Sequence, residues 1–188
     1  MPTDIKSLIV SYNAVYMLYV VVRVTGVTYL DNIMYVVCDK SCTIRLYNTD
    51  TLSPVNVVVY IARMKAPHDI VVCRHDRQLY VADCNCIWRV SVDDHSYVKW
   101  MNTQFVWSLS MTSRHLLVTS RWPPTVRQYS TTNKQLLCDV KLPQYVEELY
   151  HAVEISRGTF VVCHRGTSQD EEQYAVSELL RFCHVLQH

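Results

Sequence analysis

Short apolar runs and short polar breaks alternate along most of this chain, from about residue 24 to residue 165. Residues 68–91, HDIVVCRHDRQLYVADCNCIWRVS, show the pattern. An apolar run meets a polar break, a second run reads Leu-Tyr-Val-Ala-Asp, and a third follows a short irregular loop. The runs are four to seven residues long, rich in Val, Ile, Tyr and Thr, and bounded by turn residues. β-Branched and aromatic side chains suit a pleated, buried surface, so the runs predict strands and not helices.

The pattern also repeats. Segments beginning at Val24, Pro67 and Phe105 each run through four apolar stretches separated by turn signals. Ile44, Ile87 and Val126 open the third stretch, 43 and 39 residues apart, and Asp50, Asp93 and Thr132 fall in the next turn at the same spacings. A fourth copy begins near HAVEISRGTFVVCHRG, with Ser156-Arg157-Gly158 as its hairpin turn, and loosens into TSQDEEQ before YAVSELLRF. Four strands per ~40–45 residues is the period of a β-propeller blade. The expected fold is therefore all-β, a propeller-like array of about four four-stranded antiparallel blades over residues 24–62, 67–101, 105–142 and 150–182. Residues 1–23 form an N-terminal strand segment, part of another blade in this scheme. A β-sandwich of irregular strands is the competing architecture, and the regular spacing favours the propeller.

Pro67, Asp69-Ile70 and Leu79-Tyr80-Val81-Ala82-Asp83 resemble the NHL-repeat signature, in which a Pro-x-x-Ile start leads to Tyr-Val-Ala-Asp. The strands IRLYNTDT and VRQYSTTN resemble the wider WD-repeat and YVTN-type propeller superfamily. Departures are Asp76-Arg77 in place of Asp-Gly, a short spacing after Asp83, and no Trp-Asp dipeptide closing a strand. Propellers of this kind close with roughly six to eight blades, more than this chain supplies. Three outcomes fit: a piece of a longer ring, a small ring, or an open array that closes by self-association. An incomplete ring or fragment is expected.

Composition narrows the function. A hydrophobic fraction of 49%, a charged fraction of 19% and a net charge of +1 describe a globular chain with no global pull toward DNA or an anionic membrane. With only 3 Gly and 6 Pro, the turns must lean on Asp, Asn, Ser and Thr. Cys38, Cys73 and Cys163 sit within apolar runs as free thiols would, which places the chain in a reducing, cytoplasmic compartment. The N-terminal run Ala14–Val22 is nine residues long, well short of the ~20 a membrane helix needs, and reads as a strand.

Antiparallel alternation gathers the loops between blades, and those between second and third strands, on one face. That face collects Arg63, Lys65, His68, Arg121, Trp122 and Arg165, which are the expected binding residues. Glu147-Glu148 and Asp170-Glu171-Glu172 add an acidic sector from the fourth copy. Arg and Trp are strong anchors in desolvated contacts, so the expected role is a non-catalytic scaffold for a protein or peptide partner. RNA is the weaker alternative, since Trp122 beside Arg121 and Arg127 is a minimal stacking pattern. A hydrolase- or lyase-type propeller enzyme with a channel metal is another, but Asp69 and Glu154 are the only acids near the inner strands. No double Cys or His pair at zinc spacing, nucleophile elbow or Gly-rich phosphate loop is present. No catalytic residue, metal or cofactor is expected. Asp93-Asp94-His95 reads as a turn in which the acids bond the backbone, and Tyr35, Tyr47, Tyr80 and Tyr129 read as packing residues between blades.

Overall fold

The structure is a computed structural model that describes residues 23–140, 142, 144 and 146–165, together with the backbone of 174–181. The predicted N-terminal strand segment through Val22 and the acidic run Asp170-Glu171-Glu172 lie outside the described residues.

Strands and turns account for all regular structure among the described residues, with no helix. The first sheet holds β1 (Val24–Leu30), β2 (Ile33–Cys38), β3 (Thr43–Asn48) and β4 (Pro54–Tyr60). The second holds β5 (Asp69–Cys73), β6 (Gln78–Asp83), β7 (Cys86–Ser91) and β8 (Tyr97–Asn102). In the third are β9 (Val106–Thr112), β10 (His115–Ser120), β11 (Thr125–Ser130) and β12 (Leu136–Val140). The fourth contains β13 (Glu148–Ser156), β14 (Thr159–Arg165) and β15 (Tyr174–Arg181). Every sheet is an antiparallel meander in chain order. The fourth sheet thus has three strands among the described residues where four were expected. It also starts at Glu148, in a stretch that reads as an acidic loop, because Glu148 pairs with Arg165 across the ladder.

Both faces of β6 and β10 are largely apolar, and each face meets a different neighbouring sheet. Leu79 and Val81 of β6 join a core with Tyr35, Val37, Ile44 and Leu46 of the first sheet. The alternate residues Tyr80 and Ala82 turn the other way and pack with Leu109, Leu116 and Val118 of the third sheet. There the switch repeats: Leu117 faces Leu149, Phe160 and Val162 of the fourth. A strand buried on both faces reads as a continuous apolar run, which is why the runs lack strict alternation. Ile44, Ile87 and Val126, the repeat markers, have no exposed surface. Trp100 lies edge-on to both Tyr80 and Tyr129, and burial pushes the Tyr80 phenol up to about 12.

Hairpins repeat as closely as the cores. Asn48, Ser91 and Ser130 each accept, through the backbone carbonyl, the N–H of the residue four on: Leu52 (2.9 Å), His95 (3.1 Å) and Lys134 (3.0 Å). Those three residues hold φ of 53°, 58° and 62°. The left-handed position therefore goes to ordinary residues in a chain poor in glycine, and Asn48, Asp94 and Asn133 carboxyl or amide oxygens accept neighbouring N–H groups to hold the turns. In the Asp93-Asp94-His95 turn, Asp94 bonds the Ser96 N–H at 3.2 Å, while Asp93 pairs with Arg77.

The innermost strands β1, β5, β9 and β13 pack side by side in that order, and among the described residues no closed ring forms. The first seam is tight. A Cβ on Gly26 of β1 would lie 2.7 Å from the Ile70 nitrogen and 2.8 Å from the Asp69 Cα of β5. Gly26→Ala is expected to lower stability by about 2 kcal/mol or more, since the obstructing atoms are backbone. A denaturant midpoint equal to wild type would show that the seam can open.

Candidate interaction site at the channel mouth

The four inner strands line a cavity of about 460 Å³. Its polar groups hold the blades together. At the first seam, Thr25 Oγ1 donates to the Pro67 carbonyl at 2.7 Å. Asp69 secures the second seam, its carboxylate accepting from the Leu109 N–H of β9 at 3.0 Å and from the Ile70 N–H at 2.9 Å. Ser110 Oγ crosses the third seam to the Ala152 carbonyl at 2.8 Å, beside a 2.9 Å contact between Ser108 Oγ and His151 Nδ1.

The mouth of this channel lies on the face that carries the inter-blade loops. Loop 61–68, which leads from β4 to β5, is held by Asp83 at the end of β6. That carboxylate is 2% exposed and accepts from the backbone N–H groups of Ala66 (2.8 Å), Lys65 (3.2 Å) and Cys84 (2.9 Å) and from the Trp88 indole (3.1 Å). The Tyr-Val-Ala-Asp ending is thus a clamp on the preceding loop. Beside it, burial pushes the Cys86 thiol up to about 11, with the Asp83 charge adding to the effect.

Loop 61–68 brings His68 onto Trp107 of β9, with ring centroids 5.0 Å apart and planes 25° from parallel. Burial is the main influence on the His68 imidazole and moves its pKa below the ordinary 6.5, which favours the neutral ring. The Arg121 guanidinium, from the β10–β11 loop, lies 4.7 Å from the same indole and 5.2 Å from the Tyr150 ring of β13. Its Nη2 donates to Glu148 Oε2 at 2.6 Å, and the Tyr150 hydroxyl donates to the same oxygen at 2.7 Å. Residues from the second, third and fourth blades therefore meet in one stacked, charge-paired cluster.

Of the six expected binding residues, His68 and Arg121 join this cluster. Arg63, Lys65 and Arg165 are exposed on the same face, and their side chains form no ion pair or hydrogen bond among the described residues. Trp122 is 55% exposed. Of the cluster's other members, Glu148 was expected on this face as part of the acidic sector, whereas Trp107 and Tyr150 were absent from the expected set. Trp107 and Tyr150 read as strand residues like many others, and their role arises only where two blades meet. A further residue, Phe105, is 57% exposed and its carbonyl accepts the Arg121 N–H at 3.3 Å, so the two loops lie together. Among the described residues, no group of three or more His, Cys, Asp or Glu is placed to hold a metal ion.

No protein-family model matches the chain, and no curated protein matches it. Solved structures do. The computationally designed Ika4 protein aligns over 88% of this chain and 94% of its own, with a TM-score of 0.64 at 12% identity. A chain of a nidogen/laminin complex aligns over 84% of this chain and 60% of its own (TM-score 0.65, 13% identity). Hydrazine synthase of Kuenenia stuttgartiensis aligns over 78% and 45% (TM-score 0.65, 11% identity), so the protein spans about half the length of these last two neighbours. With the radial sheets, these likenesses establish an all-β, propeller-like fold.

Two outcomes test the mouth. Asp83→Asn turns one acceptor oxygen into a donor facing donors, and should cost about 1–3 kcal/mol with faster amide exchange at Lys65 and Ala66. Unchanged exchange there would separate the loop from the carboxylate. The Tyr150 hydroxyl, then Arg121, hold the Glu148 carboxyl below its ordinary 4.5. A lowered acid pKa stabilises the fold above the unfolded value, and that contribution disappears as pH falls through the folded one. Wild type should therefore exceed Glu148→Gln in thermal midpoint at neutral pH, and the gap should close on acidification below about 4.5. A gap that ignores pH would refute the pairing.

Proposed function

We propose that the protein is a non-catalytic scaffold that binds a protein or peptide partner across its loop face, centred on the channel mouth. The observation that carries this reading is the presence of two exposed aromatics, Phe105 and Trp122, on loops joined by the hydrogen bond from the Arg121 N–H to the Phe105 carbonyl. Phe105 has φ of 57°, a left-handed conformation that costs a bulky side chain about 1–3 kcal/mol. Exposed Arg63, Lys65 and Arg165 around the aromatics supply rim charge, which favours a peptide bearing both apolar and acidic residues. The NHL-like reading of the second blade belongs to the same proposal and is supported by the loop clamp at Asp83. So does a cytoplasmic setting, in which the buried thiols of Cys38, Cys73, Cys86 and Cys138 serve as small apolar groups. The nidogen/laminin neighbour, solved in a protein complex, fits a partner-binding propeller.

Peptides selected from a random displayed library on the wild-type chain provide the test. Phe105→Gly should weaken their binding by about tenfold or more while leaving the thermal midpoint equal or higher, because it relieves the strained backbone. Trp122→Ala should weaken binding similarly. Failure to enrich peptides, or enriched peptides that bind both variants as well as wild type, would end the proposal.

A further inference from the structure

On the hairpin side of the molecule, away from the mouth, the third and fourth sheets part to leave a groove of about 690 Å³. Leu136, Leu137 and Cys138 of β12 line one side, and the hairpin Glu154–Gly158 lines the other. Ile155 in that hairpin is 57% exposed, an aliphatic side chain with its surface open.

Glu154 lies in this groove between two neutral donors. Gln128 Nε2, from a residue only 6% exposed in β11, donates to one carboxylate oxygen at 2.6 Å. The Gly158 N–H donates to the other at 3.0 Å. The first bond crosses from the third sheet to the fourth, so the carboxylate is fixed by both walls. Arg157 and His115 also line the groove, yet none of the ion pairs among the described residues involves Glu154. The carboxylate is held by two hydrogen bonds, is partly removed from solvent, and makes no ion pair among the described residues. Much of the desolvation and ordering that a charged contact requires is already in place in the free protein. An aliphatic wall beside a fixed anion matches a ligand with an alkyl chain ending in a cation.

We propose that this groove binds an alkylammonium group, with the ammonium on Glu154 and the alkyl chain between the β12 leucines and Ile155. The site is independent of the channel mouth and stands or falls separately from the scaffold reading. Such a group comes either from a lysine side chain of a partner protein or from a free aliphatic amine.

The test is a titration of the ¹⁵N-labelled full chain with n-butylammonium chloride, with 1-butanol as neutral control. Saturable shifts of the Gly158 amide and the Gln128 side-chain amide are expected with the ammonium and not with the alcohol. Glu154→Gln should weaken binding by at least about fivefold, whereas Arg157→Ala, which removes a competing cation, should leave it equal or tighter. A capped Ala-Lys-Ala peptide that binds more tightly than butylammonium points to a lysine donor, and weaker or equal binding to a free amine. Identical shifts from ammonium and alcohol, no saturable shift, or full binding by Glu154→Gln would overturn the proposal. Should that variant not fold, wild-type affinity that is unaffected by added salt overturns it equally.

Discussion

The second strands of the two central sheets, β6 and β10, bury side chains on both faces, and a single sheet cannot satisfy that alone. Leu79 and Val81 need the first sheet, Tyr80 and Ala82 need the third, and Leu117 needs the fourth. The cores are therefore strung between sheets and not enclosed within them. Stacking sheets this way forces their first strands together, and the channel follows as a geometric consequence. Gly26 shows how little slack the arrangement has, since even a methyl group there meets the neighbouring backbone.

Radial stacking also explains what the sequence discloses and what it conceals. Strand identity is local: an apolar run bounded by turn residues declares itself, and Ile44, Ile87 and Val126 recur because each fills the same place in a seam. Contacts across a seam are not local. Ser108 meets His151, Leu109 meets Asp69 and Arg121 meets Glu148, partners separated by 43, 40 and 27 residues with no shared motif. His68 and Arg121 could be assigned to a loop face from alternation alone, but Trp107 between them reads as one more strand residue. Glu148 was misplaced for the opposite reason, because a charged pair usually marks a loop and here the ladder extends through it. Turn chemistry was half legible. Asp, Asn and Ser do bond the turn backbones, yet the left-handed positions fall to Leu52, His95 and Lys134, where the repeated backbone hydrogen bonds outweigh the steric preference for glycine.

The polar groups of the channel divide by task. Thr25, Asp69 and Ser110 are engaged across seams with backbone groups of the next blade or its leading loop. Their hydrogen bonds add to the apolar packing between the inner strands. Groups committed in this way maintain spacing between blades, and spacing is what a multi-point binding surface requires.

Charge is handled differently at the two ends of the third seam. At the mouth, Arg121 and Glu148 neutralise each other, and the Tyr150 hydroxyl and the Trp107 face complete the set. On the scaffold reading proposed above, a partner at the mouth would gain little from either charge and would draw on aromatic area and on the exposed cations of that face. At the hairpin end, Glu154 is held by two neutral donors and has no ion-pair partner among the described residues. The same seam therefore offers an apolar, cation-rimmed surface on one side and a fixed anion with aliphatic walls on the other. A single extended partner complementary to both would have to reverse its charge along its length, so the two proposed sites call for separate ligands.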